Sequence, residues 1–240
     1  MEEQSAPQFS QLEPPLPQLG LTNVLNRYYK VFVSPNEAYE GIVEIKNKKM
    51  LWLVPLTISI IVSILLAALM TSNPNVLQEE HMSVTLFKTV IYFAAIFGTP
   101  LSWLLMTLLY WIVFRIIMGC ELSFGDIFTV YALGTSIPLI NAILNSSLLM
   151  ITGSIHALLD LGFLVSAESN AALHVLLSQL NPFTFWMLWV LGIGFAKMSG
   201  LPLKKAMTGV AGLWVVMSTV WVLSIYALHS LLTAFYSLKS

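Results

Sequence analysis

The chain has 240 residues and a formal net charge of −1; 57% of it is hydrophobic and 10% charged, with a mean hydropathy of +0.81. Soluble domains carry about 25% charged residues, so this composition excludes a water-soluble fold and points to an integral membrane protein. Near-neutral charge argues against nucleic acid as a partner, and the lone Cys120 excludes an intramolecular disulfide or a cysteine-built metal cage.

Residues 1–20 hold four prolines, four glutamines and three glutamates. With so little to bury they read as a disordered, Pro/Gln-rich tail, without the basic start and apolar run of a signal peptide. Leu21, Val24, Leu25, Tyr28 and Phe32 recur at helical spacing and predict an amphipathic interfacial helix. Ser34-Pro35-Asn36-Glu37 carries a helix-start pattern: Ser34 as N-cap, Pro35 as first residue, and Glu37 completing a capping box. That second helix is expected to run to about Ile45 and to end in Lys46, Lys48 and Lys49. Residues 21–49 therefore read as cytoplasmic interfacial helices, and residues 50–240 as a five-span membrane domain.

The first span is the apolar run 51–70, twenty residues, enough for about 30 Å of bilayer. The second, 86–117, is long and interrupted by Gly98-Thr99-Pro100. The third begins at Ile127 and should kink at Pro138. Residues 154–180 suggest short helices on the membrane surface. The fourth span follows Asn181-Pro182, an N-cap with proline at the first helical position, and closes at Ser199-Gly200. The fifth covers about 206–232.

Nine of the eleven Lys and Arg residues fall in the N-terminal segment, the loop after the second span and the loop after the fourth. Cytoplasmic loops are enriched in Lys and Arg, so the reading is all-α with five spans, the N-terminus cytoplasmic and the C-terminus extracytoplasmic. A multi-pass plasma-membrane protein is the expected location.

Inside the spans, small residues repeat at helical spacing: Ala95, Gly98 and Ser102; Gly192, Ala196 and Ser199; Gly209, Gly212 and Thr219. Such stripes let helix backbones approach closely. In the third span Tyr131, Gly134, Pro138, Asn141 and Asn145 fall on one face, a polar stripe for interhelical hydrogen bonds or a polar ligand. No zinc helix, nucleophile elbow or phosphate-cradling glycine loop is present, and no carboxylate, lysine or histidine sits mid-span. The expectation is a non-enzyme without cofactor. On the opposite, outward side, His156 and Asp160 stand four apart and form the core of a candidate metal site, with His81 or His174 joining from another loop.

Three stretches resemble the Yip-domain family, named for binding Rab-type GTPases in eukaryotes. Residues 31–42, VFVSPNEAYEGI, are similar to the entry helix of prokaryotic members; residues 119–140 resemble their loop and third span, with Tyr131-Ala132 and Pro138; residues 181–214 are similar to their fourth span, basic turn and fifth span. The resemblance implies five spans and a cytoplasmic N-terminus. The Asp-Leu-Tyr-Gly-Pro motif of eukaryotic members is missing, so it does not carry GTPase binding with it. The expected partners are the bilayer, with other membrane proteins or a second copy of the chain as candidates. The leading functional expectation is a protein that organises or recruits partners at the membrane; the alternative is passive transport of a small polar solute or lipid past Tyr131, Asn141 and Asn145.

Overall fold

The computed structural model describes residues 20–45, 47–72, 83–152, 159–165 and 169–237, and among them every regular element is a helix. The tail 1–19 and the histidines His81 and His156 lie outside the described residues.

Helix α1 (Leu21–Val33) buries Val24 and Val31 and leaves Leu21, Leu25, Tyr29 and Val33 exposed. Helix α2 (Pro35–Ala38) is a single turn and does not reach Ile45. Gly41 adopts the left-handed conformation at φ 65°. The Arg27 guanidinium donates to the carbonyls of Ala38 and Glu40, at 2.8 and 2.7 Å, and so takes acceptors that a longer helix would use.

Helix α3 (Lys49–Ser72) is the first long apolar rod. The second is continuous but not uniform: α4 (Val84–Phe93), a π segment (Ala94–Gly98), α5 (Thr99–Trp111) and a second π segment (Ile112–Ile117). The expected interruption at Gly98-Thr99-Pro100 is thus a widened turn rather than a break. A π turn just before Pro100 accommodates its ring and its missing donor. Helix α6 (Phe124–Gly134) and α7 (Ser136–Thr152) form the third rod. Their junction is at Thr135, before Pro138, because a proline ring acts on the carbonyl four residues earlier, here Gly134.

A 3₁₀ turn (Leu161–Leu164) and α8 (Ala171–Ser178) follow, then α9 (Pro182–Ser199) and α10 (Leu203–Ser237). Asn181 caps α9, its side chain accepting from the Thr184 amide at 2.8 Å, and Gly200 closes it at φ 69°.

Four rods among the described residues are long and apolar enough to cross a membrane: Lys49–Ser72, Val84–Ile117, Phe124–Leu148 and Leu203–Ala227. The pair Ala172–Ser178 and Pro182–Ser199 qualifies as a fifth when taken together, bent by 57°. The protein is therefore an all-α, multi-pass membrane protein.

Helices α6 and α9 occupy the centre. Gly134 and Gly194 permit this: a Cβ on Gly134 would stand 2.5 Å from Leu191 Cδ2, and one on Gly194 2.7 Å from both the Tyr39 ring and Val130 Cγ1. Phe195 of α9 stacks on Phe114 at a centroid distance of 4.1 Å. The other small residues are used unevenly. Gly192 and Gly209 face the flexible ends of Met207 and Met118, whereas Gly98 meets only Ala94 Cβ at 3.9 Å and Gly212 faces open space. Equal spacing in sequence does not imply equal approach, because lipid fills the space beside an outward-facing glycine.

Replacing Gly194 by alanine should therefore lower the stability of the purified protein by about 1–3 kcal/mol, since a ring and a branched side chain must move. Gly212→Ala should be neutral or stabilising by about 0.5–1 kcal/mol. Thermal unfolding in detergent distinguishes them; equal effects of the two substitutions would contradict the packing.

Candidate functional site

The loops and termini that carry the basic residues gather at one end of the bundle. Helix α3 starts there at Lys49, the second rod ends there after Arg115, α6 starts at Phe124, α9 ends after Lys197 and α10 begins with Leu203, Lys204 and Lys205. Residues 20–45 cover this end. Tyr39, 1% exposed, enters the bundle: its hydroxyl donates to the Val130 carbonyl at 3.3 Å and its ring lies in the notch of Gly194. Ala38 and Ile42 are fully buried beside it, in the same core as Leu133 and Phe195. Burial pushes the Tyr39 phenol well above its ordinary pKa, so it stays a neutral donor. Tyr28 on α1 is pushed up to about 12 for the same reason. Arg27 is pulled below its usual value by burial, opposed by the charge of Glu40.

The start of α6 is the polar anchor of this end. Ser123 accepts from the Asp126 amide at 3.2 Å while Asp126 accepts from the Ser123 amide at 3.1 Å, a reciprocal capping box. Asp126 also accepts from Lys48, just before α3, so one carboxylate joins the starts of two rods. The capping box expected at Ser34 and Glu37 does not form: Ser34 makes no side-chain cap, and Glu37 instead pairs with Lys30 of α1 at 2.9 Å. A strong cation one helix away outcompetes a short-range amide for an exposed carboxylate. Sequence reading missed Ser123–Asp126 although its spacing, Ser followed three residues later by Asp before an apolar run, was legible.

Beside that anchor lies an open groove of about 630 Å³, bounded by Leu108, Trp111 and Arg115 on the second rod and by Glu121, Phe124 and Asp126 on the loop and α6. Of its helical wall, Leu108 and Trp111 belong to α5, and Arg115 to the π segment Ile112–Ile117. Gly119, at φ 70°, turns the chain out of it, with the Cys120 amide donating back to the Phe114 carbonyl at 2.9 Å. π turns recur at functional positions because they re-aim a side chain without ending the helix. No hydropathy pattern signals one.

The Yip1 domain matches residues 29–224. The chain belongs to the Yip1 domain family. Neither the curated proteins nor the solved structures give a match. The Yip1 match starts within α1 and takes in Tyr39, Lys48, Asp126 and Gly194, and so includes residues 29–45 of the covering segment.

Within the Yip1 domain the residues of the expected polar stripe have different partners. Tyr131 packs among aromatics, its ring 6.0 Å from Trp103 and 5.9 Å from Tyr110. The Asn145 amide donates to Asn141 at 3.3 Å, and Asn145 accepts from the Leu159 amide at 3.1 Å. Helical hydrogen bonding runs on through the junction, the Thr135 amide donating to the Tyr131 carbonyl and the Leu139 amide to the Thr135 carbonyl. Of the candidate metal residues, Asp160 and His174 do come close, on either side of Gly162. Both are engaged with backbone: Asp160 accepts from the Gly162 amide at 2.7 Å, and His174 Nδ1 lies 3.1 and 2.7 Å from the carbonyls of Gly162 and Val165. Asp160 is extended at φ −139° and caps the 3₁₀ turn, while its expected companion His156 lies outside the described residues.

Ser123→Ala should lower stability by about 1 kcal/mol, the usual worth of an N-cap, while Ser34→Ala should change it by less than about 0.5 kcal/mol. Thermal unfolding of the two variants in one detergent tests this; a larger loss at Ser34 would restore the cap there.

Proposed function

We propose that the protein is a non-enzymatic organiser of membrane partners, held in the plasma membrane with its basic end toward the cytoplasm. The observation that carries this reading is the outer face of α1. Leu21, Leu25, Tyr29 and Val33, at intervals of four, are each about half exposed or more, although Val24 and Val31 of the same helix are fully buried. An anchored helix with a second apolar face offers an i, i+4, i+8 set of contacts to a partner helix. The Pro-rich residues 1–19 precede it directly. The basic end, with Lys48, Lys49, Lys204 and Lys205, supports the orientation. The family match supports the membrane domain and adds no catalytic chemistry.

Deleting α1 is a poor test, because Val24 and Val31 belong to the core. A photo-crosslinking side chain at Tyr29, activated in intact cells, is a direct one. Adducts to cytoplasmic or inner-face membrane proteins, lost when Leu21 and Leu25 are changed to serine, are the expected result. Adducts to lipid alone would overturn the organiser reading, and adducts to extracytoplasmic proteins would overturn the orientation.

A further inference from the structure

We infer that the groove between the second rod and the start of α6 binds the headgroup of a zwitterionic phospholipid with a primary ammonium, of the phosphatidylethanolamine class. The volume, about 630 Å³, is that of a small-ligand site. Its character changes along the bundle. Leu108 and Trp111 form an apolar wall that continues onto the exposed Leu104 and Leu105, a path for acyl chain. Trp111 and Phe124 stand at the boundary, where amphipathic aromatic rings meet headgroups. Beyond them the lining is charged.

The charges select the ligand. Arg115 and Glu121 both line the groove and both are exposed, yet neither forms an ion pair or hydrogen bond with the other or with any described residue. Asp126 is already neutralised by Lys48 and capped by Ser123. The groove therefore presents one free cation and one free anion, held apart. A guanidinium takes a phosphodiester through two parallel hydrogen bonds. A carboxylate takes an ammonium, which has three N–H donors. A choline headgroup has no N–H to give Glu121, and a purely anionic headgroup leaves Glu121 facing a phosphate. Ethanolamine phosphate satisfies both charges at once.

The test uses the purified full chain in mild detergent, offered equal amounts of phosphatidylethanolamine, phosphatidylcholine and phosphatidylglycerol with identical acyl chains, and read by native mass spectrometry. Phosphatidylethanolamine should be retained over phosphatidylcholine on the order of tenfold, the worth of one charge-assisted hydrogen bond. Glu121→Gln should remove that preference, and Glu121→Asp, which keeps the charge, should preserve it. Arg115→Gln should weaken both lipids by similar factors. These side chains have no protein partner to lose, so unfolding temperatures should match the parent. Equal retention of the three lipids, an excess of phosphatidylglycerol, or an unchanged preference in Glu121→Gln would each overturn the assignment.

Discussion

Tyr39 sits where three elements meet. Its hydroxyl donates to the carbonyl of Val130 on α6, its ring fills the notch that Gly194 leaves in α9, and the turn that carries it is held by Arg27 of α1. Apolar side chains gain nothing by leaving lipid for one another, so helices in a bilayer associate through close packing and hydrogen bonds. Tyr39 supplies both at the position where the central pair would otherwise be open at one end. Van der Waals contact in the notch depends on glycine, and the buried phenol depends on the carbonyl, so each component has no ready substitute.

The same end concentrates the charge that the spans exclude. The ion pairs among the described residues, Lys30–Glu37 and Lys48–Asp126, both lie there, and both connect segments distant along the chain or on different helices. Asp126 does the most, stabilising the amide-rich start of α6 and fixing Lys48 at the start of α3. Arg115 and Glu121, which line the groove next to this arrangement, take no part in either ion pair.

Much of the architecture was legible in the sequence because it rests on strong one-dimensional signals. Uninterrupted apolar length gave α3, Asn181-Pro182 and Ser199-Gly200 gave the ends of α9, and helical spacing gave α1. What was missed lies in three dimensions. Residues 35–45 have the composition of an interfacial helix, and nothing in their order reveals that Tyr39 enters the bundle. The capping box was assigned to Ser34 because proline and glutamate follow it, but Lys30 was nearer in space than the pattern assumed. Nor does the order of residues from Tyr131 to Asn145 reveal that Tyr131 packs among aromatics while the two asparagines bond each other. The groove meets a π turn at Arg115, whose shifted hydrogen bonding leaves no mark in hydropathy.

Hydrogen–deuterium exchange across residues 36–45, in the full chain reconstituted in lipid nanodiscs, tests the inserted segment most directly. The Ile42 and Ile45 amides donate within this short turn and lie against the core, which predicts exchange as slow as that of the first turns of α10 at the same end. Exchange at the rate of an unstructured peptide, with α9 still protected, would show that Tyr39 does not hold the bundle closed.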